Sequence, residues 1–257
     1  MLALKKVKEF LNDENKKEVF YREIAAIERE GVKDLIKFLK ANGFHLKPAS
    51  INHHSNVDEG LMIHSYVLFA VLLQIREEAG LDDPKNPLFV SLDTVRIVTL
   101  LHDVCKYENY TQTGEISDKQ SSYLASLARK HASILAQNEI ELEYDEKGKI
   151  VNVNPEFASA LIGWLKENPY NNEAPSREGL WAYNKEQEYP FPHGPKSVSI
   201  LQDFIKLTHE EKLAIAWHMG YHEGQGEINR ARELYHLVEL VHPIDELACW
   251  VENWLIK

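Results

Sequence analysis

"GLMIHSYVLFAVLLQIREEAG", residues Gly60–Gly80, decides how this chain is read. It is apolar almost all round, so it is expected as a central helix buried on every side. One histidine, His64, interrupts it, and an unpaired imidazole at such a place is costly. Further along, "LDTVRIVTLLHDVCKY" (Leu92–Tyr107) has the same character and closes on His102 and Asp103. Lys106 follows one helical turn later.

Most other segments also have helical period. "VKDLIKFLKANG" sets Val32, Leu35, Ile36, Phe38 and Leu39 on one face and stops at Gly43. "DKQSSYLASLARKHASILAQ" is amphipathic. "NPEFASALIGWLKENP" opens with an Asn cap and a first-turn proline. "THEEKLAIAWHMG" carries the capping-box pair Thr208 and Glu211 and ends at Gly220. "HPIDELACWVENWL" is expected to begin a last helix at Pro243, which puts Asp245 near its start. Only "EIELEYDEKGKIVNVN" alternates as strands do, with Ile140, Leu142, Tyr144, Val151 and Val153 around the turn "DEKGK". The expected fold is therefore mainly α, with a small β-hairpin insertion. The long stretch Asn168–Pro195 reads as an ordered loop, because Trp181, Tyr183, Tyr189 and Phe191 need something to pack against.

Composition narrows the function. With 44% hydrophobic and 27% charged residues, the chain reads as globular rather than disordered. A net charge of -11 disfavours a broad nucleic-acid face, which needs clustered Lys and Arg to displace counterions. No membrane partner is expected, and the early charges in "MLALKKVKEFLNDENKK" do not suit a secretory signal, so a cytoplasmic protein is expected. Cys105 and Cys249 make no CxxC pair and are read as buried thiols.

The metal-capable residues sit in or beside the apolar segments: His64, His102, Asp103, His193, His218 and Asp245. Each alone has an ordinary explanation, such as a satisfied core histidine or an acid at a helix start. Together they would be expensive unless they converge, and imidazole with carboxylate suits divalent transition metals.

In order these residues form H…HD…H…H…D, carried by "GLMIHS", "LLHDVCK", "PHGPKSV", "AIAWHMG" and "PIDELACW". The pattern resembles the HD-domain superfamily of metal-dependent phosphohydrolases over about Pro48 to Trp254. The preceding "PASINHHSNVDE" is similar to bacterial and phage members and makes His54 a substrate-facing candidate. The resemblance implies an HD-type helical bundle. Residues 1–47 would form N-terminal helices packed on the core, and residues 48–257 the HD domain, with an insertion at about 107–192. It assigns His64, His102, Asp103 and Asp245 to one metal; where relatives hold two, Asp103 bridges and His193 and His218 take the second. One or two divalent ions (Mn, Fe, Ni, Co, Mg or Zn) are thus implied. The chain departs from its relatives in the long insertion and in Pro195, where a polar residue is frequent.

The activity implied is hydrolysis of a phosphoester by metal-activated water. The substrate would be a small phosphorylated molecule: a nucleotide, a cyclic nucleotide or a short oligonucleotide, and no long nucleic acid. Asp103 and Lys106 would be catalytic, Lys106 meeting a phosphoryl oxygen. Lys196 is a second candidate phosphate contact, and Trp181 a stacking surface for a base. The region from about Glu139 to Pro192 is expected to shape the pocket rather than to stand as a separate domain. Two other readings remain open: an HD-fold di-iron oxygenase acting on a small polyol or phosphonate, and a nucleotide-binding sensor without catalysis.

Overall fold

The computed structural model describes residues 2–50, 57–112, 116–138, 140–151, 153–167, 174–175, 181–184, 187–189, 191–220 and 225–255. In chain order the helices are α1 (Leu2–Leu11), α2 (Lys16–Ala25), α3 (Val32–Ala41), α4 (Gly60–Glu78), α5 (Leu92–Leu100) and the short α6 (Lys106–Asn109). They continue as α7 (Asp118–Lys130), α8 (Ala132–Gln137), α9 (Pro155–Glu167), α10 (His193–Gln202), α11 (His209–Ala216), α12 (Gln225–Leu234) and α13 (His236–Leu255). Two short strands, β1 (Tyr110–Gln112) and β2 (Trp181–Tyr183), pair with each other. The protein is mainly α.

The chain forms two compact units, one of residues 1–110 and 184–257, the other of residues 111–183. In the first, α4 is the axis and packs against α1, α5 and α13. Its apolar circumference is the cause: Leu61, Met62, Val67 and Leu68 are fully buried. Among the described helices α4 alone is long and apolar enough to cross a membrane, but most of it is buried inside the protein. The N-terminal helices join the same core through Val7, Phe10, Phe20, Ile24, Leu35 and Leu39.

The second unit has a core of its own, in which α7 packs on α9 and Leu124, Phe157, Leu161 and Leu165 are buried with Ile140 and Ile150. Glu139–Pro192 alone was expected to be no separate domain; most of it joins residues 111–138 in this compact unit. Part of the apolar surface comes from α7, upstream of that stretch. Among the described residues, the expected hairpin is reduced to one antiparallel bridge, Tyr144 to Ile150, around the turn at Asp145–Lys149. Ile150 rather than Val151 faces the core, since Val151 is more than half exposed. Trp181 is buried on β2, whereas Tyr183 and Phe191 are largely exposed.

Three local expectations change in the first unit. The helix through Val95–Leu100 does not carry His102 and Asp103; it stops at Leu100, and both residues lie in the following turn. Likewise His193, expected within the loop Asn168–Pro195, is the first residue of α10. Pro243 does not start the last helix but lies inside α13, so Asp245 is well within the helix. A dipole effect at the first turn therefore cannot explain Asp245.

A buried carboxylate ties three parts of this unit together. Glu211, fully buried on α11, accepts from Arg29 (2.9 Å), Thr94 (2.9 Å) and the backbone N–H of Thr208 (2.8 Å). Thr208 returns the contact, accepting from the Glu211 N–H, which completes the capping box. Replacing Glu211 with alanine removes the carboxylate half of the capping box and leaves Thr94 and the partly exposed Arg29 without their acceptor. A loss of about 3 kcal/mol is expected in urea unfolding. A loss below about 1 kcal/mol would show the network to be dispensable.

Candidate metal centre

The same local device positions two histidines. α5 ends at Leu100 and α11 at Ala216, and each leaves its last carbonyls without helical donors. His102 and His218 lie two residues beyond these ends. The Nδ1–H of His102 donates to the Thr99 carbonyl at 2.8 Å, and that of His218 to the Ile215 carbonyl at 2.6 Å. A carbonyl only accepts, so the proton is fixed on Nδ1, and in the neutral ring Nε2 is a lone pair. Both Nε2 atoms are buried and make no hydrogen bond among the described residues. Their nearest neighbours are carboxylate oxygens. Asp103 Oδ2 lies 3.4 Å from His102 Nε2, and Asp103 Oδ1 lies 3.3 Å from His218 Nε2.

Asp103 is the hub, at 2% exposure. Its Oδ1 also meets His193 Nε2 at 2.5 Å, and its Oδ2 the Lys106 ammonium at 2.5 Å. Burial alone would raise its pKa; the charges of Lys106, His102 and His193 reverse this and hold it well below the usual carboxylate range. Burial would likewise drive Lys106 neutral, but Asp103 keeps it charged, above the ordinary lysine value.

Asp245, from α13, stands on the other side of His102, with Oδ1 3.7 Å from His102 Nε2 and 2.9 Å from His64 Nε2. The far nitrogen of His64 meets Glu252 at 2.7 Å. Burial pulls the His64 pKa down, but Glu252 and then Asp245 outweigh it and raise it to about 10. Asp245 is in turn held well below the normal range: burial opposes this, and His64 dominates.

The six residues expected from the pattern are thus brought together. With the sulfur of Cys105, their donor atoms form three overlapping groups that could hold an ion: His64, His102 and Asp245; His102, Asp103 and His218; Asp103, Cys105 and His193. The donor set fits a divalent cation, because two buried imidazole lone pairs without donors face two ionised carboxylates.

The other candidates fare differently. His54 lies outside the described residues. Lys196 is not an exposed lysine but is almost fully buried. Its ammonium is bound by Glu108 (2.6 Å), Gln187 (2.7 Å) and Asn109 (2.9 Å). An ammonium has three protons, so none is left for a phosphate, and the residue is structural. Trp181 belongs to the second unit and is buried there.

Four contributors escaped the sequence reading. Glu252 orients His64; its signal was an acid two helical turns after Asp245 in an otherwise apolar face. Glu108 accepts from the backbone N–H groups of Glu188 and Tyr189, and so fixes the chain just before His193. Gly194 lets α10 lie directly on the end of α11, since a Cβ there would be 2.1 Å from the Ala216 carbonyl oxygen. Cys105 places its sulfur 3.1 Å from His193 Nδ1. Cys105 and Gly194 stand beside candidate ligands in the sequence, but nothing there shows what they touch, and nothing marks Glu108.

No protein-family model, curated protein or solved structure matches the chain.

A cation at His64 needs the lone pair that a proton otherwise occupies. Because that proton is held up to about pH 10, the ring is still protonated at pH 8, and raising the pH from 6 to 8 makes the proton easier for a cation to displace. Mn²⁺ titrations of metal-stripped protein should therefore show affinity rising with pH, with protons released into the buffer. Glu252→Gln should weaken binding about 10- to 100-fold and flatten the pH dependence. Binding that is pH-independent and equal in both proteins would contradict this assignment.

Proposed function

We propose that this chain is an HD-type metal-dependent phosphohydrolase acting on a small phosphoester, with a nucleotide or cyclic nucleotide as the favoured class. One observation carries the reading. Asp103 lies beside the buried Nε2 atoms of His102 and His218, which make no hydrogen bond among the described residues, and holds a charged lysine on its Oδ2.

His64, His102, Asp103 and Asp245 would hold one ion, and Asp103, His193 and His218 a second. A divalent cation there supplies Lewis acidity and lowers the pKa of a coordinated water to about 7. The chain's own residues supply the rest. Backbone carbonyls at Thr99 and Ile215 set the two imidazoles so that they present lone pairs without reorganisation. Glu252 and Asp245 hold the His64 ring in place. Burial of Asp103, His102 and His218 keeps bulk water from screening the charges. Lys106 brings a fixed positive charge beside the ligand carboxylate, where it would offset charge developing on phosphoryl oxygens.

The acidic chain, at net -11, supports a small substrate over a long polyanion. A panel of nucleotides, cyclic nucleotides and short oligonucleotides, assayed with Mn²⁺, Ni²⁺, Co²⁺ and Mg²⁺, tests the class. Phosphoester cleavage is expected. Two irons in the purified protein, with oxygen-sensitive visible absorption and no cleavage, would favour an oxygenase. Tight nucleotide binding without turnover under every metal would favour a sensor.

Lys106→Met retains most of the stem and removes the charge. It should keep its metal and fold, and lose about a hundredfold in turnover. Wild-type turnover in this variant would exclude Lys106 from the chemistry.

A further inference from the structure

Cys105 is attached to α10 at two points one helical turn apart. Its sulfur lies 3.1 Å from Nδ1 of His193, and its backbone N–H donates to the Ser197 hydroxyl at 3.2 Å. The thiol is fully buried, and the His193 ring meets it through Nδ1 and Asp103 through Nε2. The sulfur also neighbours Asn109, whose Nδ2 is 3.9 Å from it. The orientation of that amide is not free. Asn109 Oδ1 accepts from Lys196 at 2.9 Å, so Nδ2 must be the end turned toward the sulfur. Lys196 is itself held by Glu108 and Gln187. The buried lysine thus sits at the far end of a chain of contacts that ends on the His193 ring.

The His193 ring has a demand that His102 and His218 do not have. Its Nε2 is 2.5 Å from Asp103 Oδ1, and a carboxylate only accepts, so Nε2 carries the proton in this contact. In the neutral ring, Nδ1 must then accept, and the S–H of Cys105 is positioned to donate to it. To serve as a ligand, Nε2 must instead present a lone pair. The proton must then be on Nδ1, and the partner there must accept. A backbone carbonyl could serve only the second state. A thiol can serve both, because sulfur carries one weak donor and accepts as well.

We propose that Cys105 is a positioning residue that lets His193 exchange tautomers, giving S–H to Nδ1 while Nε2–H binds Asp103 and accepting from Nδ1–H when Nε2 turns its lone pair to a second cation. The imidazole moves one proton from Nε2 to Nδ1, the thiol rotates and keeps its own proton, and no net charge is created. The inference rests on the candidate metal centre and adds to it the means by which the second ion is admitted.

Co²⁺ titration of metal-stripped protein tests it, with stoichiometry and the electronic spectrum as readouts. Wild type should take up two ions. Cys105→Ser, whose hydroxyl also donates and accepts, should do the same. Cys105→Val, close in volume but without either function, should keep the first ion and bind the second at least tenfold more weakly. Two ions bound as tightly by Cys105→Val as by wild type would overturn the inference while leaving the metal centre intact. A near-ultraviolet sulfur-to-cobalt charge-transfer band in wild type, lost in Cys105→Ser, would also overturn it, because Cys105 would then be a ligand. A wild-type chain that takes up no Co²⁺ would overturn the metal centre, and this inference with it.

Discussion

An ionised aspartate buried to 2% exposure has to be surrounded by positive or hydrogen-donating groups, and most of the first unit is arranged around that requirement at Asp103. Lys106 answers it from the next turn of the chain and His193 from the start of α10, while His102 and His218 turn their Nε2 lone pairs toward it from the turns that end α5 and α11. None of these can be shifted alone. α10 is pinned on α11 by the close approach at Gly194, and α11 is pinned to α5 and to the chain before α3 by the Glu211 network. The apolar packing of α4 then supplies His64 and its contacts with Asp245 and Glu252 on α13.

Much of this was legible in the sequence. Solid apolar runs such as Leu61–Leu72 can only be buried, so α4 and its histidine could be located from residue type alone. The Thr208–Glu211 pair announced the start of α11 by its cap chemistry, and the structure has both of its hydrogen bonds. The six metal-capable positions stood out because polar groups in apolar surroundings need partners.

What was not legible depends on distance rather than on local pattern. Pro243 reads as a helix start because its missing N–H is tolerated there; packing of α13 against α4 and α11 overrides that preference. Lys196 looks like a surface lysine in sequence, since only the fold brings Glu108, Gln187 and Asn109 around it. The second unit's core was missed because its surface is shared among α7, α9 and Ile150, no one of which is decisive alone. Cys105 gave no signal beyond burial, because its significance lies in a histidine 88 residues away.

Elemental analysis of purified protein is the decisive measurement of whether His102 and Asp103 hold a divalent cation. Wild type and a His102→Ala/Asp103→Ala double variant would be loaded with Mn²⁺, freed of excess and compared, with circular dichroism confirming that both are helical. At least one ion per chain is expected in wild type and essentially none in the variant. Equal metal content in two folded proteins, or none in either, would contradict a cation site there.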